Sequence, residues 1–163
     1  MEDQEKKLSH VDALGHASMV DVSQKEDTER MAHARSKVML GREILAMLEE
    51  GEIHMKKGPV FQTARLAGIM GAKKTSELIP LCHPLPIHSI KLDINVANRE
   101  AVLIDAKVKT IGKTGVEMEA LAAATVAALT IYDMCKAVSH DILIQETRLI
   151  EKTGGKRDFK REA

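Results

Sequence analysis

The sequence predicts an α+β fold, the ferredoxin-like split βαβ with an antiparallel sheet covered by helices on one face. Three observations predict it. Two neighbouring segments, 89-SIKLDINV-96 and 102-VLIDAKVK-109, alternate apolar and polar residues with the period of a half-solvated strand. Residues 115–138 read as one long helix. One weaker strand stands near the start and another follows the helix, so the order is β, α(α), β, β, α, β.

Taken in order, residues 1–17 (MEDQEKKLSHVDALGHA) are polar without sustained period and read as a flexible tail. A single domain over 18–155 follows, and 156–163 reads as a second flexible tail. In 30-RMAHARSKVML-40, Ala32, Ala34, Ser36, Val38 and Leu40 alternate with Met31, His33, Arg35, Lys37 and Met39, a strand pattern. The stretch 42-REILAMLEEG-51 places Ile44, Leu45 and Leu48 at helical spacing and stops on Gly51. A second helix, 59-PVFQTARLAGIMGAKK-74, opens on Pro59 and aligns Val60, Ala64, Ala67 and Gly71. Next, 78-LIPLCHPLPI-87 carries three prolines, which hold Ile79, His83 and Leu85 in extended geometry. In the hairpin, Ile90, Leu92, Ile94 and Val96 face inward from one strand, and Val102, Ile104, Ala106 and Val108 from the other. The last strand is 142-ILIQETRLIEK-152.

Composition excludes several function classes. Twenty-four Lys and Arg balance 24 Asp and Glu, with two Phe, one Tyr and no Trp, so both the basic surplus and the stacking platforms of nucleic-acid binders are missing. The longest apolar run, 120-ALAAATVAALTIY-132, is 13 residues, short of a bilayer core about 30 Å thick, so no membrane partner is expected. Two cysteines and no secretory leader point to the cytoplasm.

Several constellations bear chemistry. The turn 112-GKTG-115 lacks the earlier glycine of a Walker A loop, because position 107 is Lys. Thr114 with Glu117 three residues on spells a capping box, an explanation that Met118 and Glu119 do not share. Asp133 and Lys136 fall on one helix face, either as an ion pair or as a proton-transfer pair at a dry mouth. Glu119 and Asp133 are separated by about 21 Å along one helix. Either there are two sites, or a second subunit lays its helix antiparallel across a two-fold axis. Lys56, Lys57 and Lys113 stand at helix starts, where cations suit a bound anion such as phosphate or are merely solvated. Arg30, Arg65 and Lys152 could join that cluster. His83 is aimed by its prolines, either as a pocket wall with a proton donor or acceptor or as a packed crossover. Cys82 beside His83 lacks the spacing of common metal sites, so no metal is expected, and a zinc site using Cys82, His83 and Cys135 is the lesser alternative.

LIPLCHPL and GKTGVEMEALAAATVAALTIYDMCKA resemble the cyclic pyranopterin monophosphate synthases, the C proteins of molybdenum cofactor biosynthesis, and the similarity runs over about residues 19–159. The resemblance implies a phosphorus-oxygen lyase that takes a cyclised GTP derivative, 3′,8-cyclo-7,8-dihydro-GTP, made by a radical-SAM partner. It would yield cyclic pyranopterin monophosphate and pyrophosphate without cofactor or metal. It implies a ferredoxin-like fold and a homohexamer, a trimer of dimers with sites shared between subunits. Carried over by motif, Asp133 and Lys136 are the catalytic acid/base pair, and Lys57 joins them as a basic residue of the pocket. Leu81, Cys82, His83, Met118 and Glu119 bind substrate, with Glu117 beside them and Arg30 and Lys152 as further basic contacts. The rival reading is a non-catalytic ligand-sensing module that binds a phosphorylated effector.

Overall fold

A computed structural model describes residues 16–161. The elements are β1 (Thr28–Met39), α1 (Gly41–Leu45), β2 (Leu48–Glu49), β3 (Glu52–Met55), β4 (Gly58–Pro59), α2 (Val60–Lys73), α3 (Thr75–Leu78), β5 (Ser89–Val96), β6 (Ala101–Gly112), α4 (Glu117–Cys135), β7 (Leu143–Thr153) and β8 (Phe159–Lys160).

The main sheet runs β5-β6-β1-β7-β8 with every neighbouring pair antiparallel. Without the short edge strand β8, this is the order of a split βαβ: α2 leads from β1 toward β5, and α4 joins β6 to β7. Alternation explains which face is covered. Ala32, Ala34 and Val38 of β1, and Val102, Ile104, Ala106 and Val108 of β6, are buried on the face that α4 covers, while α2 packs beside it on α4 and β5. The opposite face keeps polar side chains. There Arg35 donates two hydrogen bonds to Asp105, at 2.9 and 3.2 Å, beside His33 at 2.6 Å from the same carboxylate. Burial works against the Asp105 charge, but Arg35 and His33 outweigh it and hold that carboxyl below its ordinary value.

Close approach of α2 and α4 depends on small residues. A Cβ on Gly68 would stand 2.5 Å from Leu92 Cδ2 and 2.8 Å from the Ala123 carbonyl oxygen, and the carbonyl belongs to a helix that cannot yield cheaply. Helix propensity alone would make Gly68→Ala stabilising by about 1 kcal/mol. Overpacking typically costs about 1–3 kcal/mol, so the variant is expected to melt at lower temperature than the parent in a thermal scan.

The sequence reading and the structure part in several places. The helix expected over 42–51 ends at Leu45, and the following residues form the β2/β3 hairpin, in which Leu48 pairs with Ile53 and Glu49 with Glu52. Its two-residue turn, Glu50-Gly51, has positive φ at both positions. The buried stripe of α2 runs through Val60, Phe61, Ala64, Gly68, Gly71 and Ala72, so Ala67 is off its centre. The proposed N-terminal tail falls mostly on residues 1–15, outside the described residues. Part of the supposed C-terminal tail is strand: Phe159 and Lys160 pair with Lys152 and Glu151. The loop between them depends on Gly154, whose φ is +83° and whose Cβ would overlap the Glu29 carbonyl oxygen at 1.8 Å. Counted from Glu117, α4 has the length and composition of a bilayer-crossing helix, which the 13-residue run alone did not suggest. Here it is the core helix, with Ala120, Ala123, Ala124, Ala127 and Ala128 fully buried.

Candidate active site

The proline-rich segment is fixed at both ends. Ile79 is extended (φ −110°, ψ 109°), as a residue before proline should be, and Cys82 N donates to Ile79 O at 3.1 Å. At the far end Thr110 donates its hydroxyl to Pro86 O, and His88 N donates to Lys109 O at 3.0 Å. Leu81, Cys82, His83 and Leu85 thereby face the first turn of α4, where Met118 and Glu119 stand. Together they enclose a cleft of about 530 Å³.

A second hollow of about 500 Å³ adjoins it and shares Lys25, Thr114, Gly115, Glu117 and Lys152 with the first. This half is basic, with Lys25, Arg30, Lys113, Lys152 and Lys156 against Glu26 and Glu117. Arg30 is buried and donates from Nε to Gly112 O at 3.2 Å, which fixes its guanidinium beside Gly155. The capping box does not form: Val116 is the N-cap, without a side-chain cap bond, and the Glu117 carboxylate accepts from Lys152 Nζ at 2.7 Å. Strand β7 thus claims the carboxylate that the local pattern assigned to Thr114.

Glu119 is 4% exposed. Burial pushes its carboxyl above the ordinary value, its own amide draws it back in part, and the neighbouring Glu117 charge pushes it up again. Burial and Glu119 likewise raise the Cys82 thiol. A carboxyl raised on folding binds more protons in the native state, so its contribution to stability falls as pH rises from the ordinary glutamate value toward the native one. Glu119→Gln removes that penalty. Its melting temperature is expected to exceed the parent's at pH 7 and to match it near pH 4, as measured by thermal scans at both pH values.

The other cluster lies at the opposite end of α4. Asp133 accepts from Lys136 Nζ at 2.8 Å and from Lys57 Nζ at 2.7 Å, and the Lys136 bond followed by the Lys57 bond holds its carboxyl down to about 2. Lys136 is raised in turn, chiefly by its bond to Asp133. All three side chains are about half exposed (51%, 48% and 59%), so within one chain the expected dry mouth is open surface. Nor does Lys57 wait at an empty helix start. The Glu52 carboxylate already occupies the start of α2, accepting from the Phe61 amide at 2.7 Å, Gln62 at 3.0 Å and Ile53 at 2.9 Å. Burial opposes that charge, but the three amides outweigh it and lower Glu52.

One chain therefore gathers Leu81, Cys82, His83, Glu117, Met118, Glu119, Lys152 and Arg30 around one cleft, and holds Asp133, Lys136 and Lys57 in a separate trio. From the cleft toward the trio, α4 turns outward a stripe that starts at exposed Met118, passes half-buried Ala122 and Thr125 and reaches exposed Leu129. The sequence does not mark Val20, Val22 and Lys25 of the cleft, which stand at the start of the expected domain in a stretch without helix or strand period, nor Lys156, which falls in the expected C-terminal tail. Among the described residues no group of three or more His, Cys, Asp or Glu side chains could hold a metal ion.

The profile of the MoaC family matches residues 19–155. The chain is 58% identical over 150 residues to the cyclic pyranopterin monophosphate synthase of Dinoroseobacter shibae, covering 91% of this chain and 94% of that protein. It is 53% identical over 150 residues to the same-named protein of Heliobacterium modesticaldum, covering 91% and 93%. It is also 51% identical over 156 residues to molybdenum cofactor biosynthesis protein 1 of Drosophila melanogaster, covering 95% of this chain but 27% of the fly protein. The match thus spans about a quarter of the fly protein's length and more than nine-tenths of each bacterial relative's. With the family profile covering most of the domain, the chain belongs to the MoaC family.

Proposed function

We propose that the chain is a lyase of molybdenum cofactor biosynthesis, converting 3′,8-cyclo-7,8-dihydro-GTP to cyclic pyranopterin monophosphate with release of pyrophosphate. The observation that carries this reading is the divided cleft at the start of α4. Its apolar half, with Leu81, Leu85 and Met118 around the buried Glu119, suits a flat ring with N–H donors. Its basic half suits a triphosphate. In the closing step a hydroxyl oxygen of the sugar-derived part attacks the α-phosphorus, the α–β phosphoanhydride bond breaks, and pyrophosphate leaves with its electron pair. The hydroxyl proton needs an acceptor and the leaving group needs cations, which are the roles of Asp133 and of Lys57 with Lys136.

Those roles require a homo-oligomer. Fourteen positions on α4 separate Glu119 from Asp133, about 21 Å, beyond the reach of one reacting centre. A second copy laid antiparallel along the outward stripe of α4 would carry its Asp133 trio to the first copy's cleft and bury Met118 and Leu129. The hexameric assembly, the radical-SAM enzyme that supplies the substrate and the cytoplasmic setting follow from the same reading, and two free cysteines agree with a reducing compartment. The test is turnover: purified protein given the cyclised dihydro-GTP should release pyrophosphate and a pterin product, and binding without either product would overturn the reading in favour of a sensing module.

A further inference from the structure

Residues 19–25 form an irregular strap along the cleft, to whose lining Val20, Val22 and Lys25 contribute. Val20 and Val22 are half-buried and line the cleft, while Met19, Asp21 and Ser23 face out, so the segment alternates as a wall strand does, without a neighbouring strand in the sheet. Two side chains from the cleft hold it. His83 donates from Nε2 to the Val20 carbonyl at 2.8 Å, which fixes the proton on that nitrogen, and Lys113 donates to the Ser23 carbonyl at 2.7 Å. A turn closes its end, with Lys25 N on Val22 O at 3.1 Å and Ser23 N on Asp21 Oδ1 at 2.8 Å. Asp21 lies below its ordinary value, first through the Ser23 amide, then through the Ser23 hydroxyl, against some desolvation, and with a smaller pull from the Lys113 charge.

We propose that Lys113 is a positioning residue that pins the strap of residues 19–25 over the substrate cleft, so that Val20 and Val22 complete the wall against which the substrate is held. The geometry gives the reason for its placement: Lys113 opens the loop after β6, one residue before the Thr114-Gly115 floor shared by both halves of the cleft. From there it joins floor to roof. Residues 19–25 belong to no described strand or helix, so no sheet ladder holds them and their tie to the cleft runs through these bonds and the two half-buried valines; such a segment opens locally more readily than the sheet beneath it. A bulky anionic substrate can then enter, and the wall reforms over it. His83 acquires a second duty, as the latch at the other end.

The inference rests on reading the cleft as the substrate site, and the experiment separates the two. Amide hydrogen exchange in the substrate-free full chain reads the strap alone, and KM and kcat on 3′,8-cyclo-7,8-dihydro-GTP read its consequence. Lys113→Met is expected to speed exchange at residues 19–25 about five-fold without altering the sheet, the effect of losing one solvent-exposed hydrogen bond. KM should rise by a similar factor with kcat changed far less, and Lys113→Arg, still a donor, should restore both. Val22→Ser, which attacks the wall from the strap side and leaves Lys113 in place, should reproduce the rise in KM. A higher KM with unchanged strap exchange would assign Lys113 to direct phosphate contact and overturn the proposal. So would faster exchange with unchanged kinetics, which would leave the strap outside the site. If the parent turns nothing over, the function has failed, while the exchange result still decides whether Lys113 pins the strap.

Discussion

Asp133→Asn is expected to lower turnover on the order of 10²- to 10⁴-fold, the range typical of removing a positioned proton-transfer group, while the melting temperature stays nearly unchanged. The carboxylate is half exposed, and exposed ion pairs contribute little to stability, so a collapsed fold would not explain the loss. What the amide loses is charge. Asn can accept one lysine hydrogen bond through its oxygen, but it cannot hold two ammonium groups or take up a proton. The resting trio also limits how Asp133 works. With its carboxyl at about 2, it is ionised through the neutral range yet a weak proton acceptor. It becomes a better one when substrate phosphates draw Lys57 and Lys136 toward themselves, because the two cations that depress it are then shared. An acid limb from Asp133 should accordingly lie at higher pH in kcat, which reports the complex, than in kcat/KM, which reports the free enzyme. Full activity in Asp133→Asn would remove Asp133 from the mechanism.

Legibility in the sequence followed how local the determining contacts are. The β5/β6 hairpin could be read because its period is complete and the whole pairing, from Ser89 with Lys109 to Val96 with Val102, needs no distant residue. The cleft was legible in part, since PLCHP and VEME are continuous motifs whose residues meet directly. Errors arose where a distant residue won. Thr114 and Glu117 have the local spacing of a capping box, but Lys152, 35 positions away, takes the carboxylate. Residues 42–51 show helical spacing over one turn, yet β2 and β3 are too short to display a period of two, and Gly51 serves a hairpin turn as well as a helix end. Lys57 looked like an anion's partner at the start of α2 because Glu52, which fills that position, arrives from the hairpin the reading had missed. The openness of the Asp133 trio is a different matter, for the spacing of Asp133 and Lys136 at the end of an apolar helix does not tell open surface from a covered face.

Mixing two inactive chains gives the sharpest expected result for the shared site. Glu119→Ala removes the buried carboxylate at one end of α4, and Asp133→Asn disables the trio at the other, so each variant alone has a defect in every site of its homodimer. In a two-fold dimer with α4 antiparallel, a mixed pair places both defects in one site and leaves the other intact. Random equal mixing makes half the dimers mixed, so about a quarter of all sites recover. Activity should climb from the background of either variant to about a quarter of the parent's after the oligomers are dissociated and reassembled together, and should not climb when they are mixed without exchange. Were each site built from one chain, every site would keep its defect whatever the partner, and no recovery would follow in oligomers shown by mass to contain both variants. The helix geometry favours recovery: a rigid 19-residue helix cannot bring its own Glu119 and Asp133 together, and the exposed Met118 and Leu129 on its outward stripe mark the face a second copy would cover.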